Sequence, residues 1–438
     1  MIDVKAYASS ASHILFTTLL GKILGFLKIV LLIRLYGVGP LSDSIIVVIS
    51  IYWFWSSVLV YSLFSISLIP KLGKARSQQR QLAVTLKTLH AVNVLACIFI
   101  AIVGANTEGV LSLFSPVPDP IFIHYSKLLL TSLLPLLFLM PLTEIFTILN
   151  QYNDRMVTAS SNLSVWNFLQ IAALFFGAYS MMEVSTFLML FALLTVVGYV
   201  ITGYVQTFRS GFFQLYPIWA LFGASFGKAR LLFRKNTFFF ASALLMNLNA
   251  YIDNYFLAAL GSGAISIYNI IIRVPDVMQS LLVSAFGVVF FNIVVQNKGR
   301  AREIFSKFLF IFAMMFLPCL FLAKSFGVEF LGLIYGQNAI GVVSSDTIRF
   351  VLVTVLANIF FLVSSALLFK IFIVEERSKF VVIISSVTVA LNYGGNYLLM
   401  PLYGVSGVAL ATLCSGSFFF VALFIATYKP VLRKVLIW

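Results

Sequence analysis

The sequence predicts an all-α membrane protein of about twelve transmembrane helices in two six-helix lobes. Composition and the placement of charge carry most of that prediction. Of the 438 residues, 61% are hydrophobic and 10% charged, and the mean hydropathy is +1.05. Soluble domains use roughly 45–50% apolar residues, and a water-soluble fold has nowhere to hide so much more. The net charge of +15 falls in short connections between apolar runs. That distribution is a topology signal rather than a nucleic-acid-binding face, so no nucleic-acid partner is expected.

A spanning helix needs about 20 mostly apolar residues, and such runs follow one another from Ile14 to Tyr428. Divided at polar, Gly and Pro punctuation, the first half gives helices at 12–36, 43–69, 86–105, 126–149, 161–181 and 184–206. The second half gives 236–260, 265–296, 307–326, 347–373, 380–401 and 405–428. The first run carries Lys22, Lys28 and Arg34 and lacks a small-residue cleavage site after a short apolar core. It is expected to stay as a membrane helix rather than leave as a signal peptide.

Basic residues recur on every second connection. Lys71, Lys74, Arg76 and Arg80 follow the second helix, Arg155 the fourth, and Arg209, Lys228, Arg230, Arg234 and Lys235 the sixth. Lys298, Arg300 and Arg302 follow the eighth, Arg377 and Lys379 the tenth, and Lys429, Arg433 and Lys434 form the tail. The opposite connections are nearly free of Lys and Arg, which places both termini in the cytoplasm.

The lobes are expected at 1–206 and 236–438, joined by a basic linker over 207–235. Phe212, Phe213, Leu215, Trp219, Leu221 and Phe222 make that linker amphipathic, so it reads as an interfacial helix, with a plain loop as the alternative. An internal repeat agrees with two lobes: Leu35-Tyr36-Gly37-Val38-Gly39-Pro40-Leu41-Ser42 after the first helix parallels Ala259-Leu260-Gly261-Ser262-Gly263-Ala264-Ile265-Ser266 after the seventh. Both are G-x-G turns with a Ser three residues on, suited to capping a helix.

An ionisable residue at the bilayer centre costs about 2.5–3.5 kcal/mol on insertion scales and usually faces a cavity or a partner. Here the intramembrane charges are mostly positive: Lys22, Lys28 and Arg34 on the first helix, and Arg273 before Pro275 on the eighth. Six-residue spacings turn a side chain by roughly 240°, so a straight helix cannot aim all three at one point; Gly25 is a candidate bend. On one reading Lys22, Lys28 and Arg273 line a cavity and hold an anionic headgroup such as a pyrophosphate. On the other, Lys22 snorkels, Arg34 anchors at the far interface and Arg273 pairs with Asp276.

Of the acidic groups, Asp43 opens a helix, Glu144 lies on the fourth, and Asp253 sits mid-helix with no Lys or Arg within a turn. Asp253 is either a hydrogen-bonded acid or a cation ligand, and Asn392 and Asn396 at i, i+4, with Thr412, are oxygens suited to a hard cation such as sodium. His13, His90 and His124 lack metal-ligand spacing, and Cys97, Cys319 and Cys414 sit unpaired in apolar runs. No P-loop, nucleophile elbow or H-E-x-x-H signature is present, so enzymatic chemistry is not expected.

The stretch Gly21-Lys22-Ile23-Leu24-Gly25-Phe26-Leu27-Lys28, continuing through Arg34-Leu35-Tyr36-Gly37-Val38-Gly39 to Ser42-Asp43, resembles the opening of the MurJ (MviN) lipid II flippases. These belong to the multidrug/oligosaccharidyl-lipid/polysaccharide (MOP) exporter superfamily. Phe64-Ser65, Pro70, Gly261 to Ser266, Arg273, Asp276, Phe286-Gly287-Val288, Pro401-Leu402-Tyr403-Gly404 and Gly407 to Thr412 are similar in order and spacing. The resemblance implies a MATE/MurJ-like fold around a cationic central cavity, and alternating access that moves an undecaprenyl-pyrophosphate-linked glycan outward across the bacterial inner membrane. It matches Lys22 and Lys28 to basic cavity residues that are usually Arg, and Arg273 and Asp276 to a basic–acidic pair. It also matches Asp253, Asn392, Asn396, Val408 and Thr412 to a sodium site in which Asn396 is an Asp and Val408 contributes its carbonyl.

Three departures bear on the substrate. Ser56-Ser57 and Tyr61 stand where the family carries a basic pair and an acidic residue, Ile29 stands where an Asp follows the second basic residue, and the family commonly continues for two further helices. Twelve helices are usual in the related Wzx flippases of O-antigen and capsule units, so a surface-polysaccharide unit is the expected cargo, with lipid II beside it. A cation-coupled drug antiporter is the alternative function. Membrane lipid and polysaccharide or cell-wall assembly proteins are the expected partners.

Overall fold

The computed structural model describes residues 4–56, 77–114, 119–153, 162–296, 300–374 and 378–435, with Leu68, Leu72, Ala75 and Arg155 between them. Side chains of 4–16, 231–240 and 429–435, among others, lie outside the description. So do Ser57, Tyr61, Phe64-Ser65, Pro70, Lys71, Lys74, Arg76, Lys298 and Arg377.

The long helices are α1 Val4–Tyr36, α2 Pro40–Trp55, α3 Gln78–Ala105, a broken α4 (α4a Pro120–Ser132, α4b Leu136–Tyr152), α5 Asn162–Tyr179 and α6 Val184–Arg209. They continue as α7 Phe226–Ala259, α8 Ala264–Gln296, α9 Ala301–Tyr335, α10 Ser345–Val374, α11 Ser378–Tyr403 and α12 Val405–Val435. Among the described residues there is no strand. By length and composition, six of these helices are apolar enough to cross a membrane, or seven with the broken α4 counted as one span. Several helices outrun the expected spans: α3 begins at Gln78, where the Arg80 amide donates to Ser77 Oγ at 3.3 Å. Hydropathy marks the lipid core, whereas helical hydrogen bonding continues through Gln, Arg and Lys, which are good helix formers.

The chain divides into two compact units, one built mainly from Met1–Phe114 and Pro118–Ala243, the other from Leu244–Trp438. In the first, α5 packs against α1 and α6, and α2 lies along α4a. A Cβ at Gly21 would stand 2.7 Å from Leu163 Cβ, and one at Gly25 3.3 Å from Asn167 Nδ2. The G-x-x-x-G spacing thus serves close approach of α1 to α5, and α1 is helical through Gly25.

The fourth helix differs from the single span expected over 126–149, because it bends by 53° between α4a and α4b. Pro135 disfavours helix at the residue before it and has no N–H, and Pro141 leaves the Leu137 carbonyl without its helical donor. Side chains of α2 supply donors. Tyr52 Oη donates to the Leu130 carbonyl at 2.7 Å and Trp55 Nε1 to the Leu137 carbonyl at 3.3 Å, while Ser44 Oγ, 3.1 Å from the Phe122 carbonyl, shares its one proton with the Pro40 carbonyl at 2.6 Å.

The connection from α6 to α7 is not one amphipathic helix. Two 3-10 turns, Phe212–Gln214 and Ile218–Phe222, are separated by Pro217, and α7 starts at Phe226. The turns are tied to α3: Asn93 Nδ2 donates to the Leu221 and Gly223 carbonyls, both at 2.9 Å. Phe212 is fully buried beside Phe146, while Trp219, Phe222 and Phe226 stay exposed.

The two halves of the sequence repeat turn alike. Gly37 (φ 77°) and Gly261 (φ 106°) both take the left-handed conformation that other residues resist. After the first, Ser42 accepts from the Gly39 amide at 3.1 Å, closing the start of α2 from its third position.

In the second unit α10 packs against α8, α9 and α12, and α11 lies along α12. A Cβ at Gly395 would stand 3.0 Å from Ala411 Cβ, so small residues set that contact.

Candidate functional site

Among the described residues the first unit buries Lys28 and Asp43 and the second buries Asp253; Lys28 and Asp253 each sit in a built niche. In the first, Lys28 is 6% exposed on the α5 side of α1. Its Nζ donates to Gln170 Oε1 at 2.8 Å and Asn167 Oδ1 at 3.2 Å, and lies 5.0 Å from the centre of the Trp166 ring. Neutral carbonyl dipoles and an aromatic face together stabilise a desolvated ammonium. The niche is itself held: Asn167 Nδ2 donates to the Leu163 and Gly21 carbonyls at 2.8 and 3.2 Å, and Gln170 Nε2 to Thr195 Oγ1 of α6 at 3.0 Å. Trp166 stacks on Tyr199 at 5.6 Å. None of these partners was singled out from the sequence, although Asn162, Asn167 and Gln170 form a polar series on an otherwise apolar helix.

In the second unit Asp253 of α7 is 7% exposed. Asn396 Nδ2 and Asn392 Nδ2 of α11 donate to its Oδ1 at 2.9 and 3.0 Å, and Thr412 Oγ1 of α12 lies 2.9 Å from its Oδ2. Thr412 Oγ1 is also 2.9 Å from the Val408 carbonyl; with one proton it donates to one of the two at a time. The structure thus brings together Asp253, Asn392, Asn396, Thr412 and the Val408 carbonyl, residues far apart in sequence. The i, i+4 pair points one way because both Asn share a helix face. Tyr268 of α8, which the sequence reading passed over, sits beside Thr412.

The donors do not exhaust the cluster. Asn396 Oδ1 and Asn249 Oδ1 are buried without a hydrogen-bond partner. Uncharged carbonyl oxygens beside one carboxylate suit a hard monovalent cation, so these residues fit a sodium ion. Among the described residues, no three His, Cys, Asp or Glu side chains gather as metal ligands.

Arg273 and Asp276 lie on α8, Arg273 two residues before the internal Pro275. Arg273 Nη2 donates to Asn269 Oδ1 at 3.3 Å, one turn back, and its Nε is buried without a partner. Lys22 is half-buried on α1, and Arg34 is exposed toward that helix's end. Lys22 and Lys28 therefore belong to the first unit, and Arg273, Asp276 and the Asp253 cluster to the second.

With this geometry the chain can be set beside known proteins. The family model described as lipid II flippase MurJ matches residues 32–436. The structure of a lipid II flippase MurJ in an inward closed conformation is similar with a TM-score of 0.78 at 15% identity, over 94% of this chain and 86% of that one. An inward-facing multidrug resistance MATE transporter of the MOP superfamily gives 0.66 at 15% identity, over 94% and 96%. A MOP superfamily transporter from Pyrococcus furiosus, described as having a binding pocket of reverse polarity, gives 0.62 at 14%, over 96% and 95%. At these identities the structural likeness shows the shared fold. Among curated proteins none matches in sequence.

Proposed function

The chain belongs to the MurJ lipid II flippase family, and from that premise we propose that it carries an undecaprenyl-pyrophosphate-linked glycan across the bacterial inner membrane by alternating access. It is a multi-pass membrane transporter, not an enzyme. The observation that carries the reading is the extent of the family match, residues 32–436, which runs through both helical units.

In the proposed cycle the second unit's Arg273 meets the pyrophosphate, and Lys22 is the first unit's own candidate for contact with an anionic headgroup. Arg273 retains an unpaired buried N–H, and a guanidinium presents a planar fork suited to phosphate. Asp276, within a turn, orients that guanidinium once substrate arrives. Lys28, held by Gln170, Asn167 and Trp166, adds positive potential from inside its unit and fixes α5 against α1. The prenyl tail stays in lipid while the glycan crosses. The cytoplasmic placement of both termini belongs to this proposal and rests on the alternating basic connections.

Asp253, Asn392, Asn396, Thr412 and the Val408 carbonyl would hold a sodium ion, which supplies one positive charge against the Asp253 carboxylate. With Asn396 in place of a second carboxylate, one monovalent cation neutralises the site. One charge moved through 100 mV is worth about 2.3 kcal/mol, enough to bias a two-state cycle about fiftyfold.

Ser56, buried and uncharged where the resemblance implies a basic residue, favours a surface-polysaccharide repeat unit over lipid II. The test is depletion of the protein, followed by identification of the undecaprenyl-linked species that accumulates. An oligosaccharide repeat supports this reading, lipid II redirects it to peptidoglycan, and no accumulation of either overturns it. Arg273→Ala, inserted at the wild-type level, is expected to abolish export.

A further inference from the structure

The niches of Lys28 and Asp253 stand at one place in the internal repeat. Lys28 lies nine residues before Gly37 and Asp253 eight before Gly261, the left-handed glycines that follow α1 and α7. Asn167 lies 12 residues before the end of α5, and Asn392 lies 11 before the end of α11. The one-residue shift is common to both helices, so the register is kept: Lys28 and Asn167 are 139 positions apart, and so are Asp253 and Asn392. A third helix completes each niche. Gln170 Nε2 donates to Thr195 Oγ1 of α6 at 3.0 Å, and Thr412 Oγ1 of α12 lies 2.9 Å from Asp253 Oδ2. In each half of the repeat the first, fifth and sixth long helices thus meet at a buried charge beside two amides and a threonine.

Equivalent places hold opposite charges, and the chemistry of one explains the other. A carboxylate with an unused amide oxygen beside it, at Asn396, calls for a cation from solution. At the first niche a cationic group is already in place. Lys28 Nζ meets two amide oxygens and the face of Trp166, three directions for the three N–H groups of an ammonium. The walls do not depend on it: Asn167 is tied to Gly21 and Leu163, and Gln170 to Thr195. Neutral acceptors with an aromatic face suit an organic ammonium. Sodium, a hard ion, is better served by clustered oxygens that include a carboxylate.

We infer that the first unit contains a primary-ammonium site, the repeat counterpart of the Asp253 cluster, kept filled by the chain's own Lys28. The cation of this half is covalent and cannot leave, so only the other half exchanges one with solution. The comparison rests on the reading of Asp253 as a cation site, whereas the ammonium site stands on the Lys28 geometry alone.

The test empties the site and refills it. Lys28→Ala removes the outline of n-propylammonium, and Lys28→Met, one atom shorter than Lys, vacates only the Nζ position, the size of ammonium ion. Both are made in full-length protein carrying Asp253→Asn, so that the second niche answers to no salt, and thermal unfolding is followed at equal ionic strength. n-Propylammonium is expected to raise the midpoint of Lys28→Ala by about 2 °C, saturably, and ammonium ion that of Lys28→Met, with no effect on the parent that keeps Lys28. Tetramethylammonium, a cation without N–H, and sodium are expected to raise neither. Equal shifts in variant and parent, or none in either variant, overturn the site. A shift of Lys28→Met by sodium as large as by ammonium overturns the ligand class. Should Lys28→Ala yield no folded protein, Lys28→Met decides, because it keeps most of the buried side chain. Failure of the Asp253 reading shows separately, as a wild type that sodium does not stabilise; that result overturns the repeat comparison and leaves the ammonium site standing.

Discussion

Lys28 and Asp253 are both buried charges on membrane helices, and their surroundings are opposite in kind. Lys28 is a donor surrounded by acceptors whose own N–H groups are bonded onward, to Gly21, Leu163 and Thr195. Asp253 is an acceptor surrounded by donors, and amide oxygens near it are unused, at the donor Asn396 and at Asn249 one turn back on α7. The first niche is closed and works as a fastening. The second has oxygens to spare, which is why it is the one proposed as a receptor. The sign of a buried charge says less about its role than whether its neighbours are satisfied.

The sharpest way to break this contrast is to remove the ammonium. Lys28→Leu leaves the Asn167 and Gln170 carbonyls buried without donors, and is expected to cost about 3 kcal/mol in thermal or denaturant unfolding, equally in sodium and in choline. A sodium-dependent loss would make the first niche a receptor too. Next in size is the receptor itself. Sodium at a hundredfold excess over Kd should stabilise the wild type by about 2.7 kcal/mol, and Asp253→Asn should abolish that gain while folding normally without sodium. An undiminished gain would mean that the ion binds elsewhere.

Gly21→Ala drives a methyl toward Leu163 and should cost about 1–2 kcal/mol through overpacking at the closed niche. Gly394→Ala on α11, which meets nothing within 4 Å, is the matched control and should stay within about 0.5 kcal/mol of wild type. The smallest effect is expected for Trp55→Phe, about 1 kcal/mol for the lost hydrogen bond to the Leu137 carbonyl. A neutral result would show that the break in α4 needs no outside donor.

The helices were legible because lipid as solvent enforces long apolar runs, and α5, α8 and α12 start within a residue of where hydropathy puts them. The break in α4 was not, since Pro135 and Pro141 interrupt a run that is apolar on both sides. The Asp253 cluster was half legible: the i, i+4 pair on α11 pointed to it, but Tyr268 did not, because an aromatic in an apolar helix carries no polar signal. Lys28 was visible as a charge while its partners lay 139 and 142 positions away, a pairing no local pattern reports. The linker misled because its apolar residues suggest a helix, whereas Gly211 and Pro217 cut it into turns anchored on α3.

The three side chains of α2 that reach α4 grip it on both sides of its break, at Phe122 and Leu130 before and at Leu137 after. A helix fastened across a joint acts as a splint. Flexing of α4 at Leu133–Pro135 must either drag α2 with it or shed the Trp55 bond first. The three contacts couple α2 and α4 as one lever, and the Trp55 bond, at 3.3 Å the longest of them, is its weakest tie.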